Sequence, residues 1–76
     1  MEEIRENTLV QVHLSTDDGD LADFIEDRGN PIIRITEVER EYGQDTGVYW
    51  GEVESTGEPV DYALQYHDLT VVGQEG

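Results

Sequence analysis

Nineteen aspartates and glutamates stand against four arginines in a chain of 76 residues, giving a formal net charge of -15 at pH 7. Self-repulsion on that scale opposes any compact state. Whatever this chain folds into must therefore be held by an apolar core beneath a coat of solvated carboxylates. With 36% apolar residues in so short a chain, that core comprises about a dozen side chains. The length suits one domain, and it favours a shallow surface site over a deep enclosed one.

Three explanations of the acidic excess compete. High net charge with low hydropathy is a signature of disorder, but alternating apolar runs, Trp50, four tyrosines and glycines at turn positions argue for a fold. An acidic surface can also imitate nucleic acid and face a basic partner. The missing lysine favours the third explanation, adaptation to concentrated salt. All four cations are arginines: Arg5, Arg28, Arg34 and Arg40. Lysine stems present apolar surface, which salting-out penalises, whereas a mimic working in ordinary salt has no reason to discard every lysine. In about 1 M salt the Debye length is roughly 3 Å, so repulsion among the carboxylates is largely screened. In composition the chain resembles the small acidic proteins of salt-loving archaea. That resemblance is spread over the whole chain and rests on no motif; it implies a solvent and no activity.

The chain has no cysteine, which removes disulfides, thiolate metal sites and cysteine nucleophiles. Its first residues, MEEIREN, lack the basic-then-apolar pattern of a signal peptide. No apolar run approaches the roughly 20 residues of a membrane span. A cytoplasmic location without membrane contact is expected.

Five segments alternate as strands do. Residues 8–14 place Val10, Val12 and Leu14 on one face, with Gln11 and His13 on the other. Residues 32–40 align Ile33 with Ile35, but Val38 breaks the parity, so a bulge is expected near Thr36 and Glu37. Residues 48–54 separate Tyr49, Gly51 and Val53 from Val48, Trp50 and Glu52; residues 60–66 align Val60, Tyr62, Leu64 and Tyr66. Residues 69–72 complete the set. Glycines in 43–47 and 55–58 mark short turns joining antiparallel hairpins.

Residues 17–29 read as a short helix with Leu21, Phe24 and Ile25 on one stripe, ended by Gly29 and barred from continuing by Pro31. It is expected to cap an open end of the sheet. Residues 1–7 read as a flexible arm, 8–72 as the domain and 73–76 as a flexible tail. The expected fold is mainly β with one short helix: a small five-stranded antiparallel SH3-like barrel, Tyr66-His67-Asp68 forming the tight turn before the last strand. An OB-like barrel, or an α+β sheet packed on one helix, fits nearly as well.

Candidate chemistry is thin. Thr16-Asp17-Asp18-Gly19-Asp20 clusters carboxylates around a glycine, but without the twelve-residue ligand spacing of a calcium loop; it reads as a helix-capping turn. His13 and His67 share no metal-ligand spacing, so no metal or other cofactor is expected. A triplet of Ser15, His13 and Asp68 can be drawn, yet any acidic chain supplies such triplets by chance.

The aromatic residues carry more. Tyr42, Tyr49 and Trp50 fall around the central strands, and adjacent Tyr49 and Trp50 must point to opposite faces. If Tyr49 faces inward, Trp50 becomes a surface anchor of the kind enriched at binding hot spots; the bland alternative makes Trp50 the main core residue. Arg34 and Arg40 lie six apart on one strand and share a face unless the bulge intervenes. With Trp50 they would make a stacking platform for single-stranded nucleic acid. Phosphate contacts weaken steeply with salt, which disfavours that partner, and cross-strand pairing with glutamates is the plainer role for the arginines. The expected function is a non-catalytic protein–protein interaction module, with an accessory single-stranded nucleic-acid-binding barrel as the alternative. The candidate contacts are Trp50, Tyr42, Tyr49, Arg34 and Arg40, in a monomer or weak homodimer.

Overall fold

A computed structural model describes residues 4–74. The elements run β1 (Thr8–Val12), α1 (Gly19–Asp27), β2 (Ile33–Glu41), β3 (Gln44–Val53), β4 (Pro59–Gln65), a 3-10 turn (Tyr66–Asp68) and β5 (Leu69–Gln74). All five strands join one antiparallel sheet in the order β4-β3-β2-β1-β5. The protein is thus mainly β with one helix. The sheet is open, with β4 and β5 as its edges and no pairing between them among the described residues.

Strand alternation sorts the inner face as the sequence indicates. Val10 and Val12 of β1, Ile33 and Ile35 of β2, Tyr49 and Val53 of β3, and Val60 and Leu64 of β4 are buried. Tyr62, Tyr66, Leu69 and Val71 pack partly buried against them. Val38 is also buried, and the β2–β3 register slips between Ile35 and Glu37, which is the bulge its parity demanded. Leu14 departs from expectation at 48% exposed. β1 ends at Val12, so the alternation that would have turned Leu14 inward has already stopped.

The β2–β3 connection is tighter than the expected loop at 43–47. Glu41 pairs directly with Gln44, leaving Tyr42 (φ 53°) and Gly43 (φ 78°) as a two-residue turn. Two successive left-handed residues make a type I′ turn, whose twist matches that of the flanking strands. Gly47 serves elsewhere: with φ 80° it sits in a second bulge, between the pairs Val38–Tyr49 and Arg40–Asp45. Gly51 is required for a different reason, since a Cβ there would lie 2.6 Å from the Arg34 carbonyl oxygen.

Helix α1 closes the inner face. Asp18 caps it, its Oδ1 accepting from the backbone N–H of Asp20 (3.1 Å) and Leu21 (3.2 Å). The acidic turn at 16–20 is thereby a helix start. At the other end the Gly29 N–H donates to Glu26 and the Asn30 N–H to Ile25, a Schellman closure with Gly29 at φ 72°. Leu21 and Ile25 are buried in the core, and Phe24 meets Tyr62 edge-on at 5.8 Å between ring centres.

Both ends of the domain extend beyond their expected limits. Ile4 is buried, and the Asn7 N–H donates to the Ile35 carbonyl at 2.7 Å, so residues 4–7 are docked on the sheet. The one apolar side chain of that segment supplies the anchor. Gly73 and Gln74 continue β5 against Leu9 and Thr8. The remainder of the expected arm and tail, residues 1–3 and 75–76, lies outside the described residues.

Candidate functional site

The five candidate residues separate into three places. Tyr49 is a core residue, 1% exposed, and its hydroxyl donates to Asp45 Oδ2 at 2.9 Å. It is therefore not available as a surface contact. Trp50, its neighbour on β3, takes the outer face and is half-buried there, opposite Glu37 of β2. Tyr42 stands at the tip of the β2–β3 hairpin and is 96% exposed. Along β3 the tip and Trp50 are separated by roughly 20 Å of extended strand. The aromatics therefore do not form one patch.

The arginines do not form a platform either. The bulge at Thr36 and Glu37 lies between them and reverses the parity, so Arg34 and Arg40 do not share a face. Arg34 faces Glu52 directly across the β2–β3 ladder, with an N–O distance of 3.5 Å. Arg40 reaches Glu6 at 3.4 Å, and the Glu6 carboxyl is held below its ordinary range by a backbone hydrogen bond first and by Arg40 second. Arg34 takes the plainer cross-strand role, whereas Arg40 pairs with a glutamate in the turn that precedes β1.

Arg28 was no candidate, yet it makes a short, bidentate ion pair with Glu58. Its Nε and Nη2 donate to Glu58 at 2.6 and 2.7 Å, while the guanidinium lies 3.7 Å above the Phe24 ring. Bidentate geometry and stacking together suit arginine alone. The hydrogen bond lowers the Glu58 carboxyl and raises the Arg28 guanidinium. The pair joins the C-terminal end of α1 to the start of β4.

The residues considered for acid–base chemistry are engaged individually. The His13 ring Nε2 meets Thr70 Oγ1, across the β1–β5 pair. Asp68 Oδ2 accepts from the Thr16 hydroxyl at 2.8 Å, and its Oδ1 lies 3.5 Å from His67 Nε2. The triplet of Ser15, His13 and Asp68 is not assembled. Each described aspartate and glutamate is exposed or half-buried, and the only buried polar side chain among the described residues is Thr8.

What remains is the hairpin tip. Tyr42 lines a shallow open depression together with Glu41, Gln44, Asp45 and Thr46. A tyrosine at positive φ is uncommon, because its Cβ crowds the following carbonyl at a cost of roughly 1 kcal/mol or more. Type I′ turns ordinarily take Asn, Asp or Gly there. The Glu-Tyr-Gly-Gln sequence therefore carries no strong hairpin signal, and the turn escaped sequence reasoning. Comparisons with protein-family models, curated proteins and solved structures gave no match.

Proposed function

We propose that this chain is a salt-adapted protein-interaction module, without catalysis of its own, that meets its partner through the β2–β3 hairpin tip. The observation that carries this reading is Tyr42, 96% exposed at φ 53°. A large aromatic in a strained and fully solvated position contributes little to folding. Strained conformations of this kind concentrate at functional positions, and tyrosine is enriched at binding hot spots. Trp50 is a second, separate contact on the outer face of β3.

Two further features bear on the fold and the solvent. The strand order, with a 3-10 turn between β4 and β5, is the order of an SH3-like small barrel, which is the architecture we assign to the open sheet. That assignment is one of fold and carries no activity with it. The described carboxylates lie at the surface over a small apolar core, which suits a cytoplasm of molar salt and the halophilic archaeal type to which the composition points. The single-stranded nucleic-acid alternative is the weaker one, since Arg34 and Arg40 are divided by a bulge and each is held by a glutamate.

The test is affinity capture from the native host in molar KCl, with bound proteins identified by mass spectrometry. A stoichiometric protein partner is expected. Clean absence of one, or recovery of nucleic acid in its place, overturns the reading.

A further inference from the structure

The β2–β3 hairpin outruns the strands on either side of it. β4 pairs with β3 only as far as Val48, and β1 pairs with β2 at Leu9–Arg34 and Val10–Ile33. Residues 39–46 are all exposed and form a two-stranded arm that carries Tyr42 at its turn. Two polar contacts among the described residues tie this arm to the body of the domain. One is the pair Arg40–Glu6 at 3.4 Å, with both side chains nearly half exposed. The other runs through Asp45, whose Oδ2 accepts from the hydroxyl of the core residue Tyr49 and whose Oδ1 accepts from the Gly47 N–H. Gly47 sits in the bulge between the pairs Val38–Tyr49 and Arg40–Asp45.

We infer that Asp45 is a positioning residue: by tying the bulge to the core through Tyr49, it fixes the direction in which the hairpin presents Tyr42 to a protein partner, and this rests on Tyr42 being the partner contact. A bulge bends its strand and raises the local twist, so the course of the arm is set where the extra residue sits. Glycine takes either sign of φ with ease, so Gly47 does not by itself select one course. The Asp45 carboxylate selects it, holding the Gly47 N–H with one oxygen and a fixed core side chain with the other. From Asp45 the ladder pairs Arg40–Asp45 and Glu41–Gln44 carry that direction to the turn at Tyr42. The Arg40–Glu6 pair cannot replace this hold, because an exposed ion pair contributes little and molar salt screens it. An arm already directed needs no ordering on binding, and the complex keeps the affinity that ordering would cost.

Backbone nitrogen relaxation of the full chain in molar KCl, together with capture of partner protein from the host at the same salt, tests the inference. Wild-type amides of residues 41–46 are expected to be as ordered as those of the paired strands. Tyr49→Phe, which removes only the hydroxyl, is expected to mobilise those amides, leave residues 33–38 and 60–64 ordered, and retain roughly fivefold less partner. Asp45→Ala, a surface change that leaves the core filled, is expected to do the same. Asp45→Asn is expected to keep both order and partner, since its amide can accept from Gly47 and donate to the Tyr49 oxygen. Glu6→Gln is expected to leave the arm ordered. A disordered wild-type arm, or order that survives Tyr49→Phe and Asp45→Ala, would overturn the inference. So would an arm mobilised equally by Glu6→Gln, loss of partner by Asp45→Asn with the arm still ordered, or undiminished partner on a mobilised arm when Tyr42→Asn loses it. Undiminished partner on Tyr42→Asn strikes the reading of Tyr42 instead, and relaxation still decides whether Asp45 directs the arm.

Discussion

The Tyr49 hydroxyl and the Asp45 carboxylate join the core to the hairpin through one hydrogen bond of 2.9 Å, while the other oxygen of Asp45 accepts from the Gly47 N–H at 2.7 Å. A single carboxylate thus holds both the largest core side chain and the backbone of the bulge beside it. Asp45→Ala is expected to cost about 1–2 kcal/mol, and Tyr49→Phe about 1 kcal/mol. The double variant should cost less than the sum, because both changes remove the same bond. Urea unfolding of the four chains measures this; strict additivity would show that the bond contributes nothing.

Gly51 permits the close approach of β2 and β3. A Cβ there meets the Arg34 carbonyl oxygen at 2.6 Å and Ile33 Cγ2 at 2.8 Å. The first of these is backbone and can yield only by opening the ladder. Gly51→Ala is expected to lose about 3 kcal/mol, a large part of the stability of so small a domain. An unchanged denaturation midpoint would contradict the described register.

The Arg28–Glu58 pair has a signature in acid. Glu58 is held below its ordinary value by the hydrogen bond from Arg28. A depressed carboxyl contributes stability above its unfolded value and loses it as pH falls through the folded value. Glu58→Gln should therefore be less stable than the wild type at neutral pH, with the difference closing in acid below the usual carboxylate range. Thermal midpoints of both chains across that range are the measurement. A gap that persists in strong acid would assign the effect to something other than the ionised pair.

How far the sequence revealed this molecule differs from element to element. Strand positions, the bulge at Thr36 and Glu37, the cap at Asp18 and the stop at Gly29 follow from local rules of parity and turn chemistry, and those rules operate within a few residues. The β2–β3 turn was misplaced because Gly47, expected to be a turn residue, is spent on a bulge that exists only through pairing with β2. Arg28–Glu58 spans thirty positions, beyond any local pattern. At the candidate site, the opposition of Tyr49 and Trp50 was readable from alternation alone. The left-handed conformation of Tyr42 was not, since nothing in its side chain favours it.

Salt should govern stability. The described carboxylates lie at the surface, where their repulsion is felt in dilute buffer and screened within roughly 3 Å at about 1 M. Melting midpoints are expected to rise steadily from millimolar to molar KCl. Equal midpoints at both ends would show that the acidic coat is not an adaptation to solvent.

The claim that Tyr42 serves contact and not folding is tested most directly by Tyr42→Asn. Asparagine tolerates the left-handed position, so the variant hairpin should be at least as stable as the wild type, by up to about 1 kcal/mol. The deciding measurement is the amount of partner protein retained by Tyr42→Asn relative to wild type, captured from the host in molar KCl and quantified by mass spectrometry. The account predicts a loss of most of the bound partner by a variant that remains folded. Undiminished partner on the folded variant would contradict it.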